Sequence, residues 1–185
     1  MKKQTPMEFI TRQYMDNREF ELFFYSDHDR SLEKVALHSH DFYELYFFLE
    51  GDVTYEVDDK RYVLNPGDYL LIPPGLPHRP VFGPEHAGYR RYVLWFSQDF
   101  YSRIRRSNPD FTYGLDYARD HRLYRFSTDF LLCQELTGRL ADLLVEYGSS
   151  RPFRDTAVEI MLLSFLLQLN RILYDNLHQK STIYE

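Results

Sequence analysis

The sequence predicts a mainly β domain, a sandwich or barrel, followed by a helical unit. Three observations predict it. Short stretches rich in aromatic and β-branched residues recur between Glu19 and Phe96, each stopped by Gly, Pro or an acidic turn. Aromatics are abundant, with 16 Tyr and 15 Phe, and they suit half-buried strands and the walls of a deep pocket. Beyond Ser97 the period changes, and two leucine-rich segments repeat their apolar residues at helical spacing.

The elements follow in order. Residues 1–17 are mixed and polar and read as an arm. Glu19–Tyr25 is the first expected strand, and Val35–His40 with Tyr43–Leu49 form one long strand or two, ending at Gly51-Asp52. Val53–Val57 and Tyr62–Leu64 flank Asp58-Asp59-Lys60-Arg61 and read as a hairpin. Asn65-Pro66-Gly67 is a turn, Tyr69–Ile72 a short apolar strand, and Pro73-Pro74-Gly75 stops it. His78–Phe82 and Tyr89–Phe96 complete the strand-rich region, separated by a Gly/Pro-rich loop through Gly88.

Ser97 is placed to cap a short helix from Gln98 to about Arg105. Ser107–Arg119 reads as irregular, and His121–Phe126 as one more strand. Thr128 or Asp129 then caps a helix carrying Leu132, Leu136, Leu140, Leu143, Leu144 and Tyr147, which ends at Gly148–Pro152. The last helix, about Arg154 to His178, has a stripe of Val158, Leu162, Phe165, Leu166, Leu169 and Leu173. Ile160, Met161, Leu163 and Leu167 widen that stripe beyond one face, so the helix asks for cover on two sides. The expected units are an arm (1–17), a barrel with a mixed extension (18–126, the barrel proper to about 96), a helical segment (127–180) and the start of a linker (181–185).

Composition sets outer limits. A chain of 185 residues with 44% apolar content holds one domain, or one domain and a helical appendage. The single cysteine, Cys133, allows no internal disulfide and fits the cytoplasm. The start lacks the apolar run of a signal peptide, and no segment reads as the roughly 20 apolar residues of a membrane span. A formal net charge of −6 argues against this chain gripping nucleic acid phosphates by itself.

The residues that carry chemistry are His38, His40, Glu44 and His78. Side chains alternate along a strand, so positions 38, 40 and 44 project to one side. Two imidazoles, a carboxylate and a third imidazole form a mixed N/O set suited to Zn²⁺, Ni²⁺, Mn²⁺ or Fe²⁺, without choosing among them. A hydrogen-bonded polar pocket is the plainer alternative. Phe42, Tyr46 and Phe48 share the parity of these residues. With Arg79 and Trp95 they are the candidate ligand contacts: aromatic faces for a sugar ring, and Arg79 for a carboxylate.

His38-x-His40, then Glu44 and Gly51, resembles the first cupin motif, and Gly67, Pro73-x-Gly75 and His78 resemble the second. Leu32 stands where that pattern has glycine and Phe82 where it has asparagine; neither position is a ligand in the pattern. The likeness implies a cupin-type double-stranded β-helix, a jelly-roll barrel, with the four residues as its metal set. The order of barrel, the strand Tyr92–Ser97 leading into Gln98-Asp99-Phe100, and two leucine-rich helices resembles the N-terminal half of AraC-type transcription regulators. That resemblance implies a small-molecule sensor, a homodimer through the C-terminal helices, and DNA contact only through helix-turn-helix units beyond Glu185. A stand-alone metal-dependent cupin enzyme, a dioxygenase or a sugar isomerase, is the rival expectation. The clusters Arg103/Arg105/Arg106 and Arg119/Arg122/Arg125 lie among acids and read as a solvated face.

Overall fold

A computed structural model describes residues 12–27, 35–84 and 88–179. Most of the expected arm, and the linker residues 181–185, lie outside the described residues.

Among the described residues, eight strands form two sheets. They are β1 (Phe20–Asp27), β2 (Tyr43–Glu50), β3 (Val53–Val57), β4 (Lys60–Val63), β5 (Asp68–Ile72), β6 (His78–Phe82), β7 (Tyr89–Phe96) and β8 (Arg125–Ser127). The larger sheet has the order β1-β7-β2-β5-β8, and the smaller β4-β3-β6. Every named pairing is antiparallel.

The two sheets are covered differently, and their sequences record it. β2 and β5 are apolar at nearly every position because the larger sheet is buried on both faces. One face looks toward the smaller sheet. The other is covered by helices, where Tyr43 stacks on Tyr101 at 4.2 Å and Phe96 on Phe100 at 6.0 Å. β3 instead alternates, with Val53, Tyr55 and Val57 buried and Thr54 and Glu56 more open.

Three strand expectations shift, the last of them at His121–Phe126, where His121 ends a helix and the strand is only β8, Arg125–Ser127. The segment from Val35 to His40 is no regular strand; its His38 makes an isolated bridge to His78. The hairpin turn is tighter than the four residues expected. Asp58 takes a left-handed φ of 56°, and Lys60 already pairs with Val57.

Gly67 fixes the junction between strands and helices. Its φ is +89°, and a Cβ there would sit 2.7 Å from Thr128 Oγ1. Its carbonyl accepts the Thr128 N–H at 3.1 Å, tying the turn before β5 to the start of the helical segment.

Four α-helices follow among the described residues: α1 (Gln98–Ser107), α2 (Tyr113–His121), α3 (Phe130–Tyr147) and α4 (Arg154–Gln179). The expected caps form. Ser97 Oγ accepts the Phe100 N–H at 3.1 Å, and Asp129 Oδ1 accepts the Leu132 N–H at 2.9 Å.

The stretch 107–119 is not irregular. It contains a 3-10 turn, Pro109–Phe111, and then α2. Gly114 and Asp116 lower helix propensity there, but tertiary contact overrides it. Leu115 and Ala118 are buried, Arg122 closes the helix in the left-handed region, and Asn170 of α4 accepts the Gly114 N–H at 3.1 Å.

The six stripe residues of α4 are all buried, whereas Ile160 is 63% exposed. By length and composition α4 could cross a membrane, a correction to the expectation that no segment does. Within the structure, 44% of its most apolar stretch is buried, so the helix is partly covered by the fold.

Candidate functional site: a two-sheet cavity beside a His-Glu-His cluster

A cavity of about 440 Å³ lies between the sheets. Strand parity builds it. On β1 the odd positions Phe23, Tyr25 and Asp27 face it, and on β7 the odd positions Tyr89, Arg91, Val93 and Trp95 do. β2 contributes Glu44 and Tyr46, because its register sets Glu44 opposite Trp95 and Tyr46 opposite Val93. Tyr55, Pro80 and Phe82 close it from the smaller sheet.

At one end the His40, Glu44 and His78 donor atoms lie within 4.8 Å of one another, all three residues buried. His40 Nε2 is 3.2 Å from Glu44 Oε2, and His78 Nε2 is 3.9 Å from the same oxygen. His38 lines the cavity with its ring centre 4.5 Å from that of His78 and 6.3 Å from that of His40, and it is not among the three residues whose donor atoms converge.

The backbone sets the imidazole tautomers. Nδ1 of His38, His40 and His78 lies 2.9 Å from the carbonyl oxygens of Ala36, Phe42 and Leu76 respectively. A carbonyl only accepts, so each Nδ1 carries the proton and each neutral ring has its lone pair on Nε2. His78 Nε2 is buried without a hydrogen-bond partner among the described residues. His40 Nε2 and Glu44 Oε2 are two acceptors face to face, an arrangement that needs a proton or a cation between them.

Glu44 is held by more than imidazoles. Trp95 Nε1 donates to its Oε2 at 2.8 Å and the Tyr55 hydroxyl to its Oε1 at 3.4 Å. Burial opposes its ionisation, but the His40 contact, the His78 and His40 rings and the Trp95 N–H outweigh it and hold its pKa at about 2. Burial pushes His78 down to about 4, only partly offset by Glu44. Near neutral pH the carboxylate is therefore charged and His78 neutral, the protonation states a metal requires. The donor chemistry and the orphaned His78 nitrogen fit a divalent transition metal.

At the other end Arg91 pairs with Asp27, and its guanidinium carbon lies over the Tyr89 and Tyr25 rings, 3.8 and 4.5 Å from their centres. Arg12 spans the mouth above Trp95 and Phe23, at 5.0 and 5.4 Å, and pairs with Asp16 and Glu21.

A larger surface groove, about 750 Å³, runs between the lead-in to β1 and α4, beside Arg154 and Ile160. No residue of the His-Glu-His cluster reaches it, so size alone does not make it the site.

The model of the AraC-like ligand-binding domain matches residues 21–166, which takes in both sheets, the cavity and most of the helical segment. The chain belongs to that family. No curated protein sequence matches it significantly. Among solved structures it is similar to a Cupin 2 conserved barrel domain protein from Salinispora arenicola CNS-205, at 20% identity over 51% of this chain and 78% of that one, with a TM-score of 0.36. It is also similar to protein NMB1881 from Neisseria meningitidis, at 19% identity over 45% and 80% with a TM-score of 0.35. A third is the DMSP lyase DddQ from Ruegeria pomeroyi DSS-3, at 22% identity over 44% and 40% with a TM-score of 0.35.

In this AraC-like domain the five ligand candidates part company. Tyr46 and Trp95 line the cavity. Phe42 stacks on His40 at 3.7 Å, and Phe48 is fully buried opposite Arg91 with its ring 6.5 Å from that of Tyr89, next to the lining but not part of it. Arg79 pairs with Glu56 at 2.7 Å on the smaller sheet, away from the lining. Arg91, Tyr25 and Tyr89 were not anticipated. Alternation along β7 was the available signal: Tyr89, Arg91 and Val93 share the parity of Trp95.

Proposed function

We propose that this ligand-binding domain is the effector sensor of an AraC-type transcription regulator. A small molecule enters the cavity between the sheets, which close as a jelly-roll barrel. The observation that carries this reading is the cavity itself: aromatic walls, a buried guanidinium and a metal-ready cluster converge within one family-matched domain. His40, Glu44 and His78 would hold the metal, which would supply a Lewis-acidic anchor for the effector. Trp95 orients Glu44, and Tyr55 holds its other oxygen.

Regulation follows from differential affinity. Arg12 links the lead-in segment to Trp95 and Glu21, so an occupied cavity favours one arrangement of that arm. Two copies pair through the α3–α4 unit, where Val145 and Ile160 are exposed apolar residues. The domain works in the cytoplasm, with DNA contacts supplied by a domain beyond this chain. A thermal-shift screen of metabolites tests the reading. A hit should raise the melting temperature of the wild type and lose its effect in Tyr46→Ala; a screen whose hits survive Tyr46→Ala unchanged would overturn it.

A metal-dependent enzyme is the second reading, favoured by the bare His78 nitrogen. Sustained product formation by metal-loaded protein, lost in His78→Ala, would establish it instead.

A further inference from the structure

We infer that the effector is a monocarboxylate with a flat apolar body, seated with its carboxylate on Arg91; this rests on the reading of the two-sheet cavity as the ligand site. Arg91 is the strongest reason. Its side chain is 12% exposed, and its guanidinium carbon lies over both the Tyr89 and the Tyr25 rings, which hold the head group in place. Among the described residues its hydrogen bonds, to Asp27 and to the Tyr89 carbonyl, both leave from Nη1. The Nε and Nη2 donors remain for a ligand, and a planar fork matches a carboxylate.

The rest of the lining agrees. Its two carboxylates are already committed, Asp27 to Arg91 and Glu44 to Trp95 and Tyr55. The Tyr46 and Tyr89 hydroxyls bond each other at 2.6 Å. No Asn, Gln, Ser or Thr side chain lines the cavity among the described residues. A polyol needs acceptors for its hydroxyl protons, and this wall offers few free ones. A carboxylate needs donors only, and aromatic walls suit a flat apolar body. A volume near 440 Å³ is enough for a ring-sized acid.

Trp95 reports on the cavity directly, because it is the single tryptophan of the chain and part of the lining. Its fluorescence should be titrated with 3-phenylpropanoate, with 3-phenylpropanamide and with glucose. The acid should give a saturable change, with the amide at least tenfold weaker. Arg91→Gln should erase that preference and Arg91→Lys keep part of it, while Arg90→Gln, whose partner is the exposed Glu50, should behave as wild type. Circular dichroism of each variant verifies folding, and the acid–amide comparison needs no variant at all. Equal binding of acid and amide, or a preference that survives Arg91→Gln, overturns the inference. A response to glucose alone overturns the carboxylate class while leaving the cavity as the ligand site. Silence with all three probes overturns the class, and joined to an empty metabolite screen it removes the sensor reading too.

Discussion

Trp95 donates its indole N–H to Glu44 across adjacent strands, at 2.8 Å, and so joins the wall of the cavity to the His-Glu-His cluster. The bond is buried and charge-assisted, so its loss exposes an acceptor that water cannot reach. Trp95→Phe should lower unfolding free energy by roughly 1–3 kcal/mol, measured by urea denaturation at neutral pH. Tyr55→Phe, removing a longer bond of 3.4 Å to the other oxygen, should cost less. Equal effects would mean the Trp95 bond is not the main support of Glu44.

Metal binding should separate the histidines. Zn²⁺ is expected to bind one per chain and raise the melting temperature, an effect abolished in His40→Ala, Glu44→Gln and His78→Ala. His38 stands outside the cluster, so His38→Ala should retain metal with an affinity loss of about tenfold to a hundredfold at most, the range for supporting groups. Elemental analysis of the four variants beside wild type decides it. Complete loss in His38→Ala would require a four-ligand site.

The cluster also sets an acid limit on stability. His78 is lowered from 6.5 to about 4, so below pH 6.5 the unfolded chain takes up a proton the fold refuses. Glu44 is lowered from 4.5 to about 2, and its contribution is present above pH 4.5 and lost as pH falls through 2. Both act in the same direction, and because the two groups interact they titrate as a pair. Melting temperature in the absence of metal should therefore be level above pH 6.5 and fall first between 6.5 and 4. That first phase should vanish in His78→Ala; its persistence would assign it elsewhere.

Much of this was legible in the sequence, for reasons that particular residues make plain. The strands Val53–Val57, His78–Phe82 and Tyr89–Phe96 stand where their aromatic and β-branched runs predict, because Gly and Pro punctuate them. α2 was hidden because its helicity comes from contacts with α4 and β5, not from its own residues. The alternation argument reached Tyr46; Phe48 keeps the same register, opposite Arg91, but is fully buried with its ring near Tyr89 and does not line the cavity. Arg91 was missed because the adjacent pair Arg90-Arg91 in an aromatic strand looks like a solvated edge until β1 is laid beside β7 with Tyr25 opposite Arg91.

Two glycines in helices should respond oppositely to alanine. A Cβ on Gly114 would meet Asn170 Oδ1 at 2.8 Å and Leu71 Cδ1 at 2.9 Å, so Gly114→Ala should destabilise by about 1–3 kcal/mol despite better propensity. Gly138 in α3 has nothing within 4 Å, and Gly138→Ala should stabilise by about 0.5–1 kcal/mol. Thermal melts of the two variants make the comparison. A stabilising Gly114→Ala would mean α2 does not pack closely on β5 and α4.

Association should depend on the exposed side of α4. Wild type is expected to sediment as a dimer and Ile160→Glu, at a position 63% exposed in the single chain, as a folded monomer. A dimer that survives the substitution would move the interface away from Ile160.

The most direct test is a crystal structure of the domain with the molecule that stabilises it most in the metabolite screen. Its density should lie between the sheets, within hydrogen-bonding distance of Arg91 and against Trp95. Density in the surface groove beside Arg154 and Ile160, with the two-sheet cavity free of it, would contradict the account.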